Sequence, residues 1–554
     1  MKRILSILLC LFLLTGCSAG IGITKYKDMT YQRPDLAALE KCCLDVCALG
    51  AEGGDADAVL EAVWDYYDAY DEFNTAYDLA YIRHHGDMTD YYWQTEYDFC
   101  AENAALADMY LEDLYTALAQ SPLRSALEEE YFGEGFFLDY DGEGWYDQRL
   151  LELMDREQEL IAEYYALCDS TDLEQETGPW YDEVAAPLAD LLARLTLLRQ
   201  EMAAHLGYDS YTDLAWEWYH LRDYTPAQAK NYLAEIQAEL VSVYEKMNAA
   251  DPWDVGWEEC SEREVFRYVK EAAEQLGGEA DAAFRVLEQG GHYDISASDN
   301  KSGLSFELFL QRYYHPFVFV SGTGTRYDCL TFAHEFGHAA MDYAAIGTAA
   351  GTDVAEIFSQ GMEYLSLTDD LVELKLADSL SIYVEQGAYA AFELAMYALP
   401  EEEVTGENLL ALYEEIGTAY GFESWDWDSR DLVTVPHFYE YPMYVISYVV
   451  SNDAALQLYQ LELETPGSGV QIYLDQLATD EQTLLTFLAQ ARLHSPFGRT
   501  DEVRAIMEAH FGSIIAEIST NRVFPVYDID KSQFIRYTVF GQFYLIYFKY
   551  YKDR

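Results

Sequence analysis

Thr331-Phe332-Ala333-His334-Glu335-Phe336-Gly337-His338-Ala339 is the stretch of this 554-residue chain from which its fold and chemistry are best read. On a helix, residues four apart stand one turn apart on one face, so both imidazoles can reach a single metal ion. Glu335 projects beside them, where a carboxylate can take a proton from water that the metal polarises. With 11 histidines and 99 acidic residues in the chain, such a pattern arises by accident only about 0.04 times. A catalytic zinc takes three protein ligands and keeps a fourth position open. A second helix is expected from near Asp353, in Asp353-Val354-Ala355-Glu356-Ile357-Phe358-Ser359-Gln360. It places Glu356 eighteen residues after His338, a gap that suits a turn and a return helix. Glu356 is therefore the candidate third ligand, against the alternative of an ordinary capping or solvated carboxylate. Glu363 follows by two turns on the same face, where it can hold a ligand histidine in orientation.

Working outward, Ser305–Gln311 and Tyr313–Val320 are rich in aromatics and valine and end in Ser321-Gly322-Thr323-Gly324. They predict a strand pair or short sheet just before the metal helix. The strand leading into that helix is a candidate to pair with an extended peptide backbone. Everywhere else the apolar period is helical from Asp35 onward, with turn-rich breaks at Gly50–Asp55, Phe132–Gly144 and Asp169–Pro179. Tyr181 to Asn248 reads as two or three long helices, one starting at Thr225-Pro226. Helices are also expected over Ala355–Leu365, Leu374–Ala398, Gly406–Gly421 and a long stretch after Tyr441. The fold class is mainly α with a small β element beside the metal helix.

Several separated pieces resemble one family, the oligoendopeptidase F and thimet oligopeptidase zinc peptidases. They are Ser321–Thr325 with the following LTFAHEFGHA, AEIFSQGMEYL (Ala355–Leu365), VPHFYEYPMYVISYVV (Val435–Val450) and AAHLGYDSYTDLAWEWYHLRDYT (Ala203–Thr225). The resemblance implies a large two-lobed helical body with a deep channel, one Zn(2+) per chain on His334, His338 and Glu356, and hydrolysis of internal bonds in short unfolded peptides. It places substrate and oxyanion contacts in the segment around His437. Physically, a histidine and tyrosine hydroxyls on one wall can donate to an oxygen that gains charge. His437 leads, with Tyr441 and Tyr448 preferred and Tyr444 close behind, all three tyrosines expected on one helix face. Alternatives are a helical zinc carboxypeptidase, or a non-catalytic peptide-binding lipoprotein that feeds an importer.

Charge sets the partner classes. The chain carries 33 basic against 99 acidic residues, net −66, a solubilising anionic exterior that repels nucleic acid, with attraction of cationic peptides as a by-product. Lys2, Arg3, the apolar run Ile4–Leu14 and Leu14-Thr15-Gly16-Cys17 read as a lipoprotein signal, with Cys17 lipidated and the body outside the cytoplasm. The membrane is then met only through that anchor. The expected organisation is signal peptide 1–16, tether 17–33, N-terminal helical region 34–250, catalytic region 251–515 and a tail of unassigned role, 516–554. An odd number of cysteines in so long a chain argues against a disulfide framework, although export permits a bridge or two. His84-His85 reads as a surface pair and Asp342 as a solvated carboxylate.

Overall fold

The computed structural model describes residues 22–521, apart from 142–145, 169, 172, 174, 250–252, 346–349, 425–426, 478 and 480–482. Side chains of residues 139, 254 and 512–521 are also outside the description. The expected signal peptide, Cys17 and most of the C-terminal tail lie outside the described residues.

Three helices, α1 (Leu36–Glu52), α2 (Ala56–Gly86) and α3 (Tyr91–Ala119), form an N-terminal bundle. Each opens on an aspartate whose side chain accepts a first-turn amide: Asp35 from Ala38, Asp55 from Asp57, Asp90 from Tyr92. Such caps satisfy donors that a helix start leaves without an intrahelical partner. Val46, Val59, Val63, Phe73, Leu111, Leu114 and Leu118 fill the space between the three. Next come α4 (Gln148–Cys168) and α5 (Gly178–His205); from Leu160 and Tyr164 of α4 onward a much larger second core runs through the rest of the chain.

The expected β element is present as β1 (Tyr293–Asp294), β2 (Phe306–Leu310) and β3 (His315–Phe319), in the order β1-β3-β2. β2 and β3 are antiparallel, Phe306 opposite Phe319 and Leu310 opposite His315, while β1 runs parallel to β3. The strand entering the metal helix, β3, is thus central, with neighbours on both sides. The outer strand on the β2 side is β2 itself, which corrects the expectation that β3 offers the edge. Alternation along the strands sorts their side chains between two faces. Phe306, Leu308, Leu310, Phe317 and Phe319 meet Leu79, Tyr81 and Ile82 of α2, whereas Val318 and Val320 enter the main core. The sheet therefore joins the N-terminal bundle to the metal-helix side of the body.

The metal helix is α6 (Tyr327–Ala344), followed by α7 (Thr352–Leu365) and, later, α8 (Ile446–Glu464). α7 packs between α6 and α8. Part of the expected tether belongs to this body: Met29 is buried, Tyr26 lies on Phe317 at 4.5 Å, and the Thr24 amide donates to His315 Nε2.

Candidate metal centre

The site begins with a close crossing of α6 and α7. A Cβ added at Gly337 would meet Phe358 O at 2.5 Å and Ser359 Cα at 2.6 Å, so only glycine permits this approach. It brings the histidine face of α6 against Glu356. His334 Nε2 lies 3.4 Å, and His338 Nε2 3.8 Å, from Glu356 Oε2. One donor atom from each of the three residues falls within 4.8 Å of the others. Ligands about 2.1 Å from a tetrahedral zinc stand about 3.4 Å from one another, so spacing and donor chemistry both fit that ion. His338 and Glu356 are fully buried, while His334 keeps partial exposure on the open side. His334 Nε2 makes no protein hydrogen bond, as a ligand nitrogen requires.

Behind the three donors runs a buried relay. His334 Nδ1 donates to Glu363 Oε1 at 2.7 Å, and Lys375 Nζ donates to Glu363 Oε2 and Asp378 Oδ2, each at 2.7 Å. With its Nδ1 proton engaged, His334 presents Nε2 to the donor cluster. Burial works against charge on His334, but the hydrogen bond to Glu363 and the nearby Glu356 carry it up to about 9. Burial alone would raise Glu363, yet Lys375 and His334 hold it below the usual carboxylate range. Glu356 accepts from Ser359 Oγ at 2.8 Å and from the Tyr444 hydroxyl at 2.5 Å. Burial nevertheless pushes Glu356 up.

Glu335 is buried between the two histidine positions. Its field reaches Glu307, on β2, which burial and the charges of Asp342 and Glu335 push far above the normal range. Asp342 is itself buried and pushed up to about 7, which corrects its reading as solvated. The expected surface pair His84-His85 is also buried, stacked among Tyr81, Tyr97 and Phe306 where α2 meets the sheet.

The second wall is the segment from Pro436 to Tyr448. His437 Nε2 lies 3.3 Å from the Tyr448 hydroxyl, and the Tyr444 and Tyr448 rings both lie against its imidazole at 5.8 Å. Burial takes His437 down to about 4, so its ring is neutral at ordinary pH. The expected shared helix face does not form. A short helix ends at Glu440, α8 starts at Ile446, and Met443 between them adopts φ 66°. Tyr444 turns to Glu356, while Tyr441 packs toward the Tyr81–Phe306 cluster at the lobe junction.

Four residues from distant segments fix this wall. Arg199 donates to Phe438 O at 2.9 Å and to Tyr439 O. Arg222 donates to Met443 O at 2.8 Å, Ser447 Oγ at 2.9 Å and Asp353 Oδ1 at 3.2 Å, tying the start of α7 to that of α8. Glu393 accepts the Met443 amide at 2.6 Å, and His220 Nε2 lies 3.1 Å from Pro442 O. The left-handed Met443 is therefore gripped on both its amide and its carbonyl, the over-determination that such a conformation needs. The partners of these four residues lie too far away in sequence for any local pattern to point to them.

Residues 26–141 match the Peptidase M3 N-terminal domain. No curated protein matches the chain by sequence. Among solved structures, PZ peptidase A with an inhibitor superposes with a TM-score of 0.76 at 21% identity, covering 88% of this chain and 99% of that one. A chain from Bacillus anthracis str. Ames assigned as an oligoendopeptidase F gives 0.69 at 20% identity, over 92% and 99%. Oligoendopeptidase-F from Enterococcus faecium gives 0.59 at 14% identity, over 88% and 98%. The expected likeness to oligoendopeptidase F holds in the fold, which is the two-lobed helical one of M3 peptidases, and in the N-terminal domain.

Proposed function

We propose that this chain, built on the M3 peptidase fold, is a zinc-dependent endopeptidase that cleaves short unfolded peptides outside the cytoplasm. The observation that carries the reading is the convergence of His334, His338 and Glu356 on one point, with Glu335 buried beside them. The names of the structural neighbours and the N-terminal domain match support the peptidase class.

Zn(2+) held by His334, His338 and Glu356 would supply a Lewis acid for the scissile carbonyl and for the attacking water. The chain's own groups do the rest. Glu335 takes a proton from that water and returns it to the departing amine nitrogen. His437, neutral because it is buried, and the Tyr448 hydroxyl donate toward the carbonyl oxygen as it gains charge. Tyr444 is committed to Glu356 and fixes that ligand instead. Glu363, through His334 Nδ1, keeps the imidazole turned to its task. β2, the outer strand, is the candidate to hold an extended peptide backbone in register. A lipid on Cys17 would keep the body at the outer face of a bacterial membrane.

A defined peptide library digested with and without chelator, and read by mass spectrometry, tests the reading. Internal cuts that vanish with chelator and return with zinc are expected. Release of single C-terminal residues would instead favour a carboxypeptidase, and intact peptides that co-purify with the protein a binding role.

A further inference from the structure

We propose that Cys260 and Cys329 form a disulfide when the folded protein meets a thiol–disulfide oxidant, clamping the segment Glu258–Cys260 to the first turn of the metal helix. The two Sγ atoms are 3.8 Å apart although the residues are 69 positions apart in sequence. The backbone leading to each of them is already held to the other. Glu259 and Thr325 form an antiparallel bridge, the Cys260 amide donates to Gly324 O at 2.9 Å, and the Arg326 amide donates to Glu258 O at 3.0 Å. Closing to the bonded distance of about 2.05 Å asks the two sulfurs to approach by less than 2 Å.

The other close thiols differ in kind. Cys43 and Cys47 sit one turn apart on α1, and their sulfurs point to Tyr110 O and Asp113 O of α3. A bond between them would join nothing that the helix does not already join.

Exposure orders the chemistry. Cys260 is half-buried and Cys329 buried, so the Cys260 thiolate attacks a disulfide oxidant first and expels one thiol. The Cys329 thiolate then attacks the Cys260 sulfur and expels the second. Two protons and two electrons leave the protein, and the oxidant is reduced to two thiols. Burial raises both thiols above the usual range, and the Arg326 guanidinium offsets only part of that rise.

The bond would stiffen a functional junction. Asp328, next to Cys329, accepts the Thr323 amide at 2.9 Å and the Gly324 amide at 2.9 Å. It thus holds the loop that feeds α6, and Cys260 lies across that loop.

The test uses the full chain incubated with oxidised glutathione, then alkylated, digested and mass-mapped. The expected result is a linked Cys260–Cys329 peptide lacking two hydrogens. A rise in Tm of roughly 2–5 °C should accompany it and be absent in both Cys260→Ser and Cys329→Ser. Quantitative alkylation of both cysteines after oxidation would overturn the proposal. So would a Cys260 adduct with glutathione that never resolves onto Cys329. The mass readout is independent of peptidase activity, so it stands or falls apart from the function proposed above.

Discussion

Glu335 owes its chemistry to its neighbours: two imidazoles on its own helix and, across from it on β2, the carboxyl of Glu307, which burial and the charges of Asp342 and Glu335 push up. Glu335→Gln keeps the shape of the side chain and removes its capacity to take a proton. Turnover of a cleaved peptide should fall by roughly 10²–10⁴, with zinc retained at wild-type stoichiometry. Steady-state kinetics beside metal analysis checks both halves. At this scale the sequence was legible where the pattern is local. His334, Glu335 and His338 occupy one turn, and Glu356 and Glu363 two turns of the next helix, so helical spacing places them. Tyr444 was harder to rank, because its direction follows from the left-handed Met443, which no helical period encodes.

Between elements, two contacts decide whether the donors meet. At Gly337 the α6 and α7 backbones touch, and a methyl group has nowhere to go. Gly337→Ala should push the helices apart by several tenths of an ångström, lower zinc affinity by ~10-fold or more and lower Tm. A competitive zinc titration with a chromophoric chelator measures the first effect. The other contact is the Glu393 grip on Met443. Burial pushes Glu393 up to about 8, whereas in the unfolded chain it titrates near 4.3. The native state then holds the extra proton across that window. Its contribution is complete below the unfolded value and is lost as pH rises through about 8. Stability should decline with rising pH there by up to about 1.4 kcal/mol per unit from this group. Glu393→Gln should flatten that slope in denaturant titrations made at successive pH values. Arg199, Arg222 and Glu393 were invisible in the sequence because each joins segments that only the tertiary fold brings together.

Across the whole molecule, helical periodicity and one break to aromatic strands foretold a mainly α body with a small sheet. Strand order and the packing of α2 on the sheet are long-range facts, and local pattern carries no record of them. The net charge of −66 gives the molecule a field that draws cationic peptides. For a lysine-rich substrate, kcat/KM should fall several-fold as salt rises from ~20 mM to ~500 mM, while an acidic peptide of equal length should lose none. All of this depends on a metal held by residues from two crossing helices. Zinc content of the purified protein, measured beside Glu356→Gln and Glu335→Gln, tests that most directly. One equivalent in the wild type and in Glu335→Gln, with little in Glu356→Gln, is the predicted result. A wild-type protein without bound zinc after zinc loading, or a Glu356→Gln variant that holds it as tightly, would contradict it.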